Sequence, residues 1–98
     1  MPTILDHIPT GAANAIPRAE LAARLGLSDR RTREAIQKAR DDGALILNEQ
    51  SGAGYFLATA DDLDAIERQY RQDTSRALSI LRRRKSMRAL LKAAGRAV

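Results

Sequence analysis

The placement of helix breakers constrains this chain more than any other feature. All three prolines fall early, at Pro2, Pro9 and Pro17, and between Tyr55 and Ala94 there is neither proline nor glycine. Proline inside a helix removes a hydrogen bond and clashes with the preceding turn, and glycine weakens a helix by backbone entropy. The first half must therefore be built from short, interrupted elements, while the second half reads as one long helix. Ninety-eight residues fit one domain with an added helix and bury only a modest core, which excludes most enzymes built on large clefts.

Local signals divide the first half. Thr3 caps a short helix with Ile4, Leu5 and Ile8 on one face, ended by Pro9, Thr10 and Gly11. Ala12 to Ile16 forms a connection with room for a short strand. Pro17 suits the first position of a second helix, where its missing N–H costs nothing, and Leu21, Ala22 and Leu25 form the inward stripe. Gly26 ends that helix, and Ser28 caps a third with Asp29 at its positive end. Thr32, Ala35, Ile36 and Ala39 make the inner face of the third helix, and Gly43 stops it. Leu45 and Leu47, the turn formers Asn48 to Gly54, and the run Tyr55, Phe56, Leu57 predict a hairpin with a projecting loop. Thr59 caps the long helix, with Asp62 placed as in a capping box. The fold class is thus α+β and mostly helical, with residues 1–59 as one domain and residues 60–98 as a C-terminal amphipathic basic helix.

The net charge of +5 is unevenly spread. Residues 1–60 carry seven bases and seven acids, residues 61–75 five acids and two arginines, and residues 76–98 eight bases and no acid. A segment like the last is drawn to polyanions, chiefly nucleic acid, and less plausibly to an anionic membrane given the scarcity of aromatic residues.

The stretch LAARLGLSDRRTREAIQKARDDGALI, residues 21–46, resembles the helix-turn-helix of winged-helix DNA-binding proteins, including GntR-type bacterial regulators. Ala22 matches the close approach of the two helices, Gly26 the turn, Leu27 the core plug, Ser28 the cap, Ile36 the buried anchor and Gly43 the residue before the first wing strand. Thr32 stands where a β-branched aliphatic is usual, and Ala39 where a larger aliphatic is common. The layout from ILDHIP through GYFLAT to a basic helical tail also resembles small phage and prophage winged-helix proteins linked to replication or its regulation. These resemblances imply a winged helix-turn-helix, a three-helix core plus a β-hairpin wing, that binds double-stranded DNA as a transcriptional regulator or replication-associated factor.

On that expectation the third helix turns Asp29, Arg30, Arg31, Glu34, Gln37 and Lys38 outward, with Arg33 at the flank. Arg30 and Arg31, near the helix start, are best placed for base edges. Arginine suits guanine, Gln37 adenine and Glu34 cytosine. Ser28, Asn48, Gln50 and Ser51 are candidates for phosphate contact, although the loop Asn48 to Gly54 contains no Lys or Arg. The competing reading is a solvated helix face with pairs such as Glu34 to Lys38 at i,i+4, each contributing only about 0.2–0.5 kcal/mol.

In the long helix, a heptad from Leu63 sets Leu63, Ile66, Tyr70, Asp73, Ala77, Ile80, Arg84, Met87, Leu91 and Ala94 at the seam. Leu63, Ile66 and Tyr70 are expected to pack on the core and the remainder to support a homodimer. Asp73 and Arg84 either set register or mark where packing stops. Arg82, Arg83, Arg84 and Lys85, with Arg88 beyond, are candidates for sequence-independent phosphate contact or for a solubilising helix end.

No catalytic or metal-binding set can be assembled around His7, the only histidine, and there is no cysteine. Asp61, Asp62 and Asp64 fit helix-start charge. The expectation is a cytoplasmic non-enzyme with no cofactor, small-molecule ligand or membrane partner. The alternative to DNA binding is a protein-interaction adaptor that self-associates or recruits a partner through the long helix.

Overall fold

The protein, described from a computed structural model covering residues 3–52 and 54–98, is mostly helical, with three α-helices and one two-stranded antiparallel sheet. The chain divides into a unit ending at Glu67 and a second, Arg68–Val98.

The first unit opens on a single 3-10 turn, Ile4–Asp6, in place of the expected short α-helix. Thr3 and Asp6 cap it reciprocally, with the Thr3 amide donating to Asp6 Oδ2 at 2.8 Å. One turn cannot align three apolar residues, so Ile8 is buried, Ile4 is half-buried, and Leu5 is exposed rather than sharing their face. A second 3-10 turn spans Ala12–Asn14, and the short strand for which the sequence left room is a single bridge between Ile16 and Tyr55.

Helix α1 covers Arg18–Leu25, so it starts one residue later than the sequence suggests, with Pro17 as its N-cap and not its first residue. Gly26 adopts φ +67°, and the amides of Gly26 and Leu27 return to the carbonyls of Ala23 and Ala22, the paired bonds of a Schellman stop. Helix α2 covers Asp29–Asp41, and Ser28 Oγ accepts from the Arg31 amide at 3.2 Å. It ends in the same way, with Gly43 at φ +102° and the Ala44 amide reaching Ala39. Leu27 is half-buried.

Buried Thr32 satisfies its hydroxyl by donating to the Ser28 carbonyl at 2.8 Å. The same carbonyl also accepts from the Thr32 amide at 2.9 Å, so removing the hydroxyl orphans no acceptor. Thr32→Val is accordingly expected to leave stability within about 1 kcal/mol, since no buried polar group loses its only partner. A loss of twice that in urea titration would show that the hydroxyl itself anchors the start of α2.

Strand β1, Ile46–Asn48, pairs antiparallel with β2, Tyr55–Leu57, in the register Ile46 to Leu57, Leu47 to Phe56 and Asn48 to Tyr55. The expectation that Leu45 and Leu47 carry the strand is half wrong: Leu45 lies outside it and is exposed, whereas adjacent Ile46 and Leu47 are both buried. Neighbouring strand residues point to opposite faces, so both faces of the hairpin are covered. Ile46 joins Ile8, Ile16, Leu21 and Ile36 in the core cluster, and Tyr55 and Leu57 pack partly against it.

After Thr59 and Asp62, which form the expected capping box across the 3-10 turn Ala60–Asp62, helix α3 runs over Leu63–Ala93. Its start corrects a further expectation. Ile66 is half-buried, but Leu63 is 65% exposed and does not serve as a core anchor; Tyr70, in the second unit, is 71% exposed. From Tyr70 onward every residue of α3 is exposed. The helix closes at Gly95, whose φ of +77° lets the Gly95 and Arg96 amides reach the Lys92 and Leu91 carbonyls.

Candidate nucleic-acid interface

Helix α2 is amphipathic by its spacing. Thr32 and Ile36 are buried and Ala35 and Ala39 half-buried, which forces Arg30, Arg31, Glu34, Gln37 and Lys38 onto the exposed side. The structure thus brings the candidate residues of α2 onto one solvent face. It also sorts them by what already occupies them.

Asp29 is held by two arginines. Arg18 Nε from α1 approaches its Oδ1 at 2.5 Å, and Arg33 Nε lies 3.3 Å from its Oδ2. Hydrogen bonding from Arg18 holds the Asp29 carboxyl below the usual carboxylate range, with the nearby charges of Arg18 and Arg33 adding to the effect against some desolvation. The same contact raises the Arg18 guanidinium above its ordinary value. Asp29 thereby ties the two helices across the turn and neutralises charge that would otherwise face outward.

Arg30 pairs with Glu34 at 3.1 Å, where the sequence suggested a Glu34 to Lys38 pair. Gln37 Nε2 donates to Asp41 Oδ1 at 2.9 Å. The side chains of Arg31 and Lys38 have no ion-pair or hydrogen-bond partner among the described residues. They sit seven positions apart, two helical turns on one face, with a rise of about 10.5 Å between them.

The loop after β1 offers less. Ser51 turns both its amide and its hydroxyl onto the Glu49 carboxylate, and the loop closes through Glu49 N to Gly54 O at 2.8 Å. Gln50 is exposed. Asn48 Oδ1 accepts from Arg40 at 3.4 Å. With an acid at its start and no base, this loop presents no cationic grip for a phosphate.

Arg40 and Arg18 were not singled out from the sequence, yet both have structural duties. Arg40 Nε donates to the Ile46 carbonyl at 2.9 Å, and its guanidinium lies 5.8 Å from the centre of the Tyr55 ring, fastening α2 to the hairpin. The signal was available: Arg40 falls four positions after Ile36 on the inner stripe of α2. Arg24 likewise pairs with Glu20 at 2.7 Å and donates to the His7 carbonyl at 3.3 Å.

In the second unit, Arg82, Arg83, Arg84 and Lys85 are all exposed on α3. Among the described residues, no His, Asp and Glu side chains group to hold a metal ion, and no helix is long and apolar enough to cross a membrane. In comparison with known proteins, the chain matches no family model, no curated protein and no solved structure.

Proposed function

We propose that this chain binds double-stranded DNA as a winged helix-turn-helix protein, in which α1, the Gly26–Ser28 turn and α2 form the helix-turn-helix and β1–β2 the wing. It acts as a transcriptional regulator or as a replication-associated factor of a bacterial or phage genome. The reading is carried by α2: a capped helix, anchored inward by Thr32 and Ile36, whose outer face holds Arg31 and Lys38 without competing partners. Arg31 lies in the first turn, the part of such a helix nearest base edges, where a guanidinium can donate twice to guanine. Arg30 pairs only with a solvent-exposed glutamate, a bond that a base or phosphate can displace because exposed ion pairs are weak. Residues 1–60 have no net charge, so nonspecific grip falls to the basic end of α3.

Fluorescence anisotropy with a duplex selected from a random pool tests this. Arg30→Ala with Arg31→Ala is expected to erase the preference for the selected duplex over random DNA. Neutralising Arg82, Arg83 and Lys85 is expected to weaken all duplexes alike and to lower the salt slope by about 0.9 for each phosphate that the protein no longer neutralises. Absence of binding to any duplex at low salt rejects the reading. The exposed apolar stripe of α3 favours, as a second reading, an adaptor that works by association through this helix.

A further inference from the structure

From Tyr70 onward the seam of α3 is exposed among the described residues. Tyr70, Ile80, Met87 and Leu91 are all exposed, and with Ala77 they recur at heptad spacing, which gives a narrow apolar stripe on one side of a helix. Exposing such a stripe to water is unfavourable, and a second helix of matching pattern removes it. Only Asp73 and Arg84 interrupt it.

We infer that α3 pairs with α3 of a second copy of this chain, antiparallel, with Asp73 of each copy set against the partner's Arg84. Geometry and charge select this arrangement together. In a parallel pair the seam residues meet their own counterparts, so Asp73 would face the partner's Asp73 and Arg84 the partner's Arg84. Like charges would then be held together in a desolvated seam. In an antiparallel pair, first positions of the heptad meet fourth positions of the other helix. The register that sets Asp73 opposite the partner's Arg84 also sets Ala77 opposite the partner's Ile80 and Tyr70 opposite the partner's Met87. Every other layer is then apolar against apolar. Sliding by one heptad puts Asp73 against the partner's Ala77 or the partner's Leu91, leaving the charge unmatched. A buried charge without its counterpart is costly, so a single matched pair can dictate register and orientation.

Charge along the whole helix agrees. In this register residues 64–75, with three acids and two bases, fall opposite residues 82–93, with six bases and no acid. Antiparallel pairing thus brings the acid-containing start beside the basic end, whereas parallel pairing stacks the two basic ends. At the flanks, Arg76 and the partner's Arg83 form a like pair, but both face solvent, where the interaction between exposed charges is weak. Arg82 and Lys85 remain on the outer face, free for phosphate, so the pairing neither requires nor prevents DNA binding.

Sedimentation equilibrium of the full chain without DNA is expected to give twice the 10.7 kDa chain mass. Asp73→Arg and Arg84→Asp singly are each expected to weaken the dimer at least about tenfold, and the two together to restore it, with circular dichroism confirming that α3 stays helical. Mixed Tyr70→Cys and Met87→Cys chains should oxidise mainly to the mixed disulfide dimer. A monomer at every accessible concentration overturns the pairing. Preferential self-crosslinking of each single-cysteine variant overturns the orientation, and indifference to the charge substitutions overturns the register. None of these readouts involves DNA, so failure here is distinct from failure of the proposed function.

Discussion

Phe56→Ala is expected to lower the free energy of unfolding of the first unit by about 3–5 kcal/mol, the usual cost of deleting a large aromatic ring from a core. Phe56 is among the largest fully buried side chains, along with Leu21, Ile46 and Thr32, and it faces Leu47 across the hairpin. The loss combines the transfer energy of the ring with a cavity that a small core cannot close by collapse. Domains of this size hold only about 5–15 kcal/mol in total, so the substitution removes a large share. Calorimetry is the suitable measurement, because far-UV circular dichroism is dominated by the 31-residue helix α3, most of which lies outside this unit. Near-UV dichroism adds a local reading through Tyr55, since Tyr70 is largely exposed. A loss below about 1 kcal/mol would mean that Phe56 does not pack as described.

Gly54→Ala is expected to cost about 1–3 kcal/mol, the range for forcing atoms into an occupied space. A Cβ at Gly54 would lie 2.9 Å from the Ile16 carbonyl oxygen and 3.0 Å from its carbonyl carbon. These are backbone atoms and cannot swing aside as a side chain would. Ile16 is held there by two hydrogen bonds with Tyr55, its amide to the Tyr55 carbonyl at 3.1 Å and the Tyr55 amide to its own carbonyl at 2.8 Å. The substitution must push these strands apart, so hydrogen exchange at the Ile16 and Tyr55 amides is expected to accelerate. Gly52→Ala is the control. Gly52 has φ +78° with open space around it, so alanine there meets only the left-handed backbone penalty of about 1–2 kcal/mol and leaves those two amides protected. Equal exchange in the two variants would discard the close approach at Gly54.

Sequence alone determined the features that are settled within a few residues. Ser28 caps α2 by binding an amide three positions on, Gly26 and Gly43 stop helices because they accept positive φ, and Thr59 with Asp62 completes a capping box. Most of the breaker-free run beyond Tyr55, Leu63–Ala93, forms one long helix for the same reason: helix formation answers to neighbours three and four positions away. The inner and outer faces of α2 followed from the period of 3.6.

Tertiary structure decided whatever depends on distant partners. Ile46 rather than Leu45 enters the core because pairing with Leu57 fixes the strand register. Gly54 is required by the backbone of Ile16, thirty-eight positions earlier. Within α2 and its surroundings, Arg18 and Arg40 are drawn to Asp29 and the Ile46 carbonyl, and Arg31 and Lys38 are left open. A guanidinium in the sequence is only a charge with reach; the acceptors that the fold brings near it decide whether that charge holds the protein together or faces a ligand.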